Sequence, residues 1–259
     1  MTGTKRRLTW VALGLGLGLA VLASSPNTLP AKEDETINNR FQSSGTVLRE
    51  VLDVPENVPR GLLDKARCVI VFPALLKAAF VVGGEYGHGV MTCRGNSDMT
   101  GPWGAPIMMT IEGASLGYQI GGEATDLIIV VMNNQGADSL LRSKVKLGLD
   151  VSVAAGPKGR SAKADTDAIM KAEMLSYSRS RGVFAGISLE GSSLQPDDEA
   201  NKALYGNAVL PKDIVSGSKV AIPQSAHTLL SVLQQASPHL RSTGPKKRPL
   251  FSWKDEQAV

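Results

Sequence analysis

Residues 111–133 read IEGASLGYQIGGEATDLIIVVMN, and two incompatible folds can be drawn from them. Gly113-Ala114-Ser115-Leu116-Gly117 matches G-x-S-x-G, the sharp strand-to-helix turn that presents a nucleophilic serine in α/β-hydrolases. That reading requires a helix directly after Ser115, because its N-terminal amides help build the oxyanion hole. The residues after Ser115 lack helical periodicity. Leu116, Tyr118 and Ile120 alternate with Gly117, Gln119 and Gly121, which is the period of a strand. Residues 127–132 then form an unbroken apolar run, as in a strand buried on both faces. The stretch is read as strand. A Ser115 hydrolase, completed by Asp126 or Asp150 and by His227 or His239, stands as the alternative.

The same texture extends on both sides. CVIVF at 68–72 is a buried strand ending at Pro73, and AFVVGGEYGHGVMTCR continues in β-type residues broken by Gly83, Gly84, Gly87 and Gly89. Interior strand glycines mark bends, bulges or close approach of another backbone. VKLGLDVSVAAG alternates Val145, Leu147, Leu149, Val151 and Val153 on one face, and AEMLSYSRSRGVFAGISLEG reads as a hairpin turning near Arg181-Gly182. Helical periodicity is confined to shorter stretches. Ile37, Phe41, Leu48, Val51 and Leu52 mark an amphipathic helix, and a short one starts at Pro59. GADSLLRSK, with Asp138 or Ser139 near its cap, DDEANKALYG, with acidic residues in its first turn and Gly206 at its end, and PQSAHTLLSVLQQAS supply the others. The predicted class is α+β: a curved, mainly antiparallel, glycine-rich sheet or barrel-like sandwich with flanking short helices.

The 259-residue chain is 42% hydrophobic and carries 27 glycines, enough for one sizeable core. Lys5, Arg6 and Arg7 precede an apolar segment at 8–23 and small residues in VLASS, the pattern of an export signal. A membrane anchor is the competing reading, but the run is short of the ~20 apolar residues of a span and contains Gly14, Gly16 and Gly18. The expected organisation is a signal peptide at 1–23, a flexible lead at 24–35, a domain at 36–210, a helical extension at 211–238 and a basic tail at 239–259.

Without residues 1–23 the chain keeps 25 of its 28 basic residues against 24 acidic ones. The basic balance therefore belongs largely to the signal, and no nucleic-acid partner is implied. Cys68 and Cys93 would both enter an oxidising compartment, and the sequence leaves open whether they bridge. No metal site or cofactor motif is expected: His88 is the only imidazole near the cysteines, and GGEYGHG is neither G-x-G-x-x-G nor a Walker loop. Glu85, Glu112 and Glu123 have no spacing that pairs them.

Four segments, taken in order, resemble the SYLF-domain family in its exported bacterial branch. They are LLDKARCVIVFPALLKAAFVVGGEYGHGVMTCR, GPWGAPIMMTIEGASLGYQIGGEATDLIIVVMN, LGLDVSVAAGPKGRSAKADTD and SYSRSRGVFAGISLEGSSLQPDDEANKALYG. The resemblance covers roughly residues 40–206. It implies a lipid-binding domain without enzyme activity, whose eukaryotic relatives bind phosphoinositides partly through a basic amphipathic helix, and some of which bind actin. Here that helix region has Arg40 and Arg49 but no dense basic cluster. The expected ligand is therefore anionic phospholipid of the envelope, met in the periplasm; the alternative is a structural or protein-interaction module of the periplasm, with an envelope protein as partner. The candidate lipid contacts are Arg40, Phe41, Leu48 and Arg49, with the nearby Arg60, Lys65 and Lys77. The tail, in which Lys246, Lys247 and Arg248 precede Phe251 and Trp253, suits the same anionic interface.

Overall fold

The computed structural model describes residues 30–54, 58, 60–95, 98–157, 171–180, 182–216 and 220–238. The expected signal peptide, the start of the lead and the basic tail lie outside them.

Two strands dominate. β1 spans Cys68–Cys93 and β2 spans Ile107–Val131. They pair antiparallel from Cys68 opposite Val131 to Met91 opposite Ile107. β1 also returns on itself. Its first and last residues are joined by a disulfide, with Cα atoms 3.9 Å apart. The Arg94 amide donates to the Arg67 carbonyl at 2.9 Å. A strand of this length would extend about 85 Å, yet here its ends touch. Gly89 permits the return: a Cβ there would stand 2.5 Å from the Val71 carbonyl oxygen and 2.5 Å from the Phe72 ring.

Pro73 does not end the strand, as the sequence suggested. It lies within a register shift between Phe72 and Leu75, where Ala74 takes φ 58° and donates its amide to Asp126 Oδ1 at 3.1 Å. Arg179 donates to the other Asp126 oxygen through Nη2 at 2.8 Å and Nε at 3.0 Å, and also to Glu50. A second shift, between Ala79 and Val81, lies at the midpoint of β1, where a strand whose ends meet must reverse.

Five shorter strands complete a curled sheet. β3 (Val145–Lys146), β4 (Val153–Ala155), β5 (Met174–Ser180), β6 (Val183–Gly186) and β7 (Ser193–Pro196) join it in the order β3-β7-β2-β5-β4, with β1 on β2 and β6 on β5. Only β4 and β5 run parallel among these pairs. The alternating segment at 145–153 is not one strand. Gly148 at φ 86° turns the chain, so Val145, Leu147 and Val151 are buried while Leu149 is 78% exposed.

The sheet is covered on both faces where β2 runs through 127–131, which accounts for the unbroken apolar run there. On one face, α1 (Pro30–Asp53), α2 (Arg60–Lys65) and α6 (His227–Ala236) pack Phe41, Leu63 and Leu233 against Val71, Ile128 and Val130. On the other, α3 (Asn134–Arg142) and α5 (Pro211–Val215) bring Leu140 and Ile214 against Ile70, Phe72 and Ile129. α1 begins at Pro30, so residues 30–35 are helix rather than lead. Ala31, Lys32, Glu33 and Glu35 are good helix formers behind a first-turn proline. α3 is capped by Asn133, whose Oδ1 accepts from the Gly136 amide at 2.8 Å, not by Asp138 or Ser139. α4 (Asp198–Tyr205) has the expected acidic start and Gly206 end.

Two polar clusters fasten the helices. Arg94 is fully buried; it donates to the Gly101 carbonyl at 3.1 Å and to the Ser237 carbonyl at 3.0 Å, and lies 4.4 Å from the Trp103 ring centre. The Ser237 hydroxyl donates to Asp64 at 2.6 Å, so the ends of α2 and α6 meet at the closed end of β1. Burial pulls the Arg94 pKa down, against the opposing pull of Asp64. In the second cluster, Asp197 accepts from Arg40 at 3.2 Å, from His88 Nδ1 at 3.0 Å and from the Ala200 amide at 3.2 Å. Burial works to raise the Asp197 pKa, but these partners outweigh it and hold the carboxyl below its ordinary value of 3.8.

Replacing Cys68 and Cys93 together by Ala is expected to lower stability by about 3 kcal/mol, measured by urea unfolding; an unchanged midpoint would show that the closed strand does not need its bridge. Asp197→Asn is expected to cost about 2 kcal/mol at neutral pH. A depressed folded pKa gives stability that is full above the unfolded value and lost as pH falls through the folded one. The gap between wild type and variant should therefore narrow only below about pH 4; a gap that closes near neutrality would contradict this assignment.

Candidate functional site

The expected lipid contacts do not come together. Phe41 and Leu48 are 0% and 1% exposed, inside the core under α1. Arg40 is committed to Asp197, and Lys77 lies 3.6 Å from the buried Glu85. Arg49 and Lys65 are exposed, and the side chain of Arg60 lies outside the described ones. Among the described side chains, the exposed charges of α1 are mostly acidic: Glu35, Glu50 and Asp53 stand beside Arg49. An amphipathic stripe signals one buried face but not what buries it. Here the sheet and α6 do.

The G-x-S-x-G match lies within β2, with Ser115 opposite Gly83, and the next helix starts only at Asn134. The hydrolase geometry is absent at the backbone level. Gly113 serves a different end: a Cβ there would meet the Glu85 carboxylate and the Ser192 hydroxyl, each at 2.9 Å, and those two groups are hydrogen-bonded. The three glutamates of the ribbon each take a separate partner: Glu85 with Ser192, Glu112 with Lys144, and Glu123 with Ser180.

One arrangement has the form of an acid–base relay. The Tyr86 hydroxyl is 2.9 Å from His88 Nε2, and His88 Nδ1 is 3.0 Å from Asp197. With Asp197 ionised, Nδ1 carries the hydrogen that faces it. Asp197 is shared with Arg40 and caps α4, so the relay ends in the docking of α1 and α4 on β1.

A different surface gathers cations. Arg142 closes α3, Lys144 precedes β3, and Lys212 lies in α5; together with Leu141, Gln195, Pro196, Asp198, Leu210 and Pro211 they line a cavity of ≈ 340 Å³. Lys144 pairs with Glu112, while Arg142 and Lys212 have no ion pair among the described residues. Lys146 is exposed two residues beyond Lys144, on the same side of β3, and the turn after it projects Leu149. Leu210 is 65% exposed at the cavity's edge. Sequence reasoning missed these groups because Lys212 lies almost seventy positions from Lys144. The one local signal was the exposed pair Lys144 and Lys146 flanking buried Val145. A second cavity, ≈ 610 Å³ and mainly apolar, lies between Trp103, Ala105, Val215, Val220 and Ile222, with His227 at its side.

The family profile described as "Ysc84: Las17-binding protein actin regulator" matches residues 112–236. An SH3 domain-containing protein of Schizosaccharomyces pombe is 34% identical over 80% of this chain and 48% of its own length. LAS seventeen-binding protein 3 of Saccharomyces cerevisiae is 34% identical over 71% of this chain and 40% of its own. SH3 domain-containing YSC84-like protein 1 of Homo sapiens is 27% identical over 81% and 62%. The chain thus spans about half the length of the relatives it matches. The matched segment takes in the strand that carries GASLG, both ends of the basic cavity and the helix that closes on Arg94. Through this domain the chain belongs to the Ysc84 family, the SYLF family.

Proposed function

We propose that the protein is an exported, non-enzymatic binding module that engages an anionic phospholipid surface in the periplasm. One observation carries the reading: Arg142, Lys144, Lys146 and Lys212 lie on one group of adjoining elements with the exposed leucines Leu149 and Leu210. Cations near an anionic membrane contribute about 1 kcal/mol each, and projecting apolar side chains add burial at the interface. The contact is thereby moved from the stripe of α1 to the β3–α5 surface. Export is supported by the signal-like residues 1–23 and by the buried Cys68–Cys93 bridge, a bond favoured in oxidising compartments.

A protein partner is the second reading. It is favoured by the name of LAS seventeen-binding protein 3, which describes binding to another protein. The relay at Tyr86 and the strand at Ser115 give no reason to expect catalysis.

Cosedimentation with vesicles tests the first reading. The protein should bind vesicles rich in anionic phospholipid and leave neutral ones, with release as salt rises. Lys146→Ala should weaken binding by about fivefold, and Leu149→Ser should weaken it without changing the salt dependence. Failure to sediment at low salt would end the lipid reading, and recovery of one crosslinked envelope protein, indifferent to lipid, would replace it with the second.

A further inference from the structure

We propose that the apolar cavity beside Trp103 is a seat for the chain's own C-terminal segment Leu250-Phe251-Ser252-Trp253, with the rings of Phe251 and Trp253 as its occupants. The seat is a different surface from the basic one above, and it does not depend on the lipid reading.

The cavity's ≈ 610 Å³ falls within the roughly 300–1,000 Å³ of sites that hold drug-sized ligands. Trp103, Ala105, Val215, Val220 and Ile222 wall it, and Ile222 is left 39% exposed. Concave apolar surface of this kind is stabilised by an apolar occupant. An ionic ligand finds little to hold it. His227 is the one titratable side chain in the lining, the Ser216 hydroxyl already donates to the Asp213 carbonyl at 2.9 Å, and the Trp103 indole donates to the Ser237 carbonyl at 3.1 Å.

That last bond brings the C-terminal segment to the seat. The backbone leaving α6 is fastened at Ser237 to the cavity's own wall, and Arg94 Nη2 holds the same carbonyl at 3.0 Å. The described chain stops one residue later, at Pro238. Phe251 follows Pro238 by 13 positions and Trp253 by 15. Thirteen residues reach up to about 45 Å, ample to return to a wall from which the segment starts. Tethering at this length also raises the local concentration of the rings to about millimolar.

The segment has the matching chemistry. Phe251 and Trp253 are the aromatic residues of 239–259, and each such ring buries about 150–250 Å² when inserted. Lys246, Lys247 and Arg248 precede them and Lys254 follows, so the charges stay in water while the rings enter. The loop joining Gly95 to Pro102, both in the lining, carries exposed Asp98 as the charged group among its described residues. Its sign complements that basic run.

The test uses the full chain without lipid, labelled with fluorotryptophan and followed by fluorine NMR. Trp10→Phe and Trp253→Ala assign the three tryptophan signals. The expected result is a Trp253 signal that has lost its shift between light and heavy water, and a Trp103 signal that moves in Trp253→Ala. Ile222→Asp, at the open wall, should restore the full solvent shift to Trp253. Phe251→Ser, whose site lies outside the described fold, should do the same, and thermal melts confirm that each variant is folded. A Trp253 signal fully open to solvent in the unsubstituted chain would overturn the proposal. Shielding that survives Ile222→Asp with Trp103 unmoved would also overturn it, by placing the ring elsewhere. Shielding that disappears on dilution would assign the seat to a second copy's segment and overturn the intramolecular one.

Discussion

The return of β1 upon itself is the constraint on which the other elements depend. Once Cys68 and Cys93 are joined and Arg94 is bonded to Arg67, β2 must follow the same bend, because it pairs with β1 along almost its whole length. The two ends of β2 then offer separate outer edges. Residues 126–131 take β5, while residues 109–112 take β7, which in turn takes β3. The curl of the sheet therefore comes from one doubled ribbon rather than from many independent twists. The buried Arg94 extends that control to the helices: its bonds to Ser237, and Ser237's bond to Asp64, tie α6 and α2 to the closed end of the ribbon. A buried guanidinium is tolerated there because carbonyl oxygens and the Trp103 face replace its water.

A sheet covered on both faces has little surface left for function, and its polar groups reflect this. Glu85 is held by Lys77 and Ser192, His88 and Asp197 face each other with Arg40 of α1, and Arg179 joins Asp126 to Glu50 of α1. Groups of the kind that perform chemistry in enzymes here perform attachment. One exposed surface is built by short elements at the margin: the end of α3, the two residues of β3, its turn, and α5. Lys144 pairs with Glu112, whereas Arg142, Lys146 and Lys212 have no ion pair among the described residues, unlike Arg40 or Lys77.

Much of this fold was legible in the residues, and the failures have physical causes. Period-two alternation and the glycines identified a curved antiparallel sheet, and the run LIIVV signalled burial on both faces. Capping chemistry located α4 well, from Asp197 to Gly206. Pro73 misled because a proline can ride through a strand at a bulge when a side chain, here Asp126, takes the amide that the ladder leaves free. Leu149 misled because alternation cannot see a positive-φ glycine one residue earlier. The stripe of α1 was read correctly as a stripe, but periodicity is silent about whether sheet or membrane lies opposite. The cavity at Arg142, Lys144 and Lys212 was out of reach for another reason: it exists only after α5 folds beside α3, and no spacing in the chain records that.

The bridge also sets how the molecule answers tension. A pull applied to the two ends of the chain passes through Cys68–Cys93 and bypasses everything between them. The 25-residue step from one cysteine to the other is withheld from extension, roughly 85 Å of contour. The reversing tip of β1 would then bear no load even after the rest of the sheet had been drawn out. A thiol reductant would release that hidden length, so the mechanical reach of the chain is a property of the redox state of its surroundings.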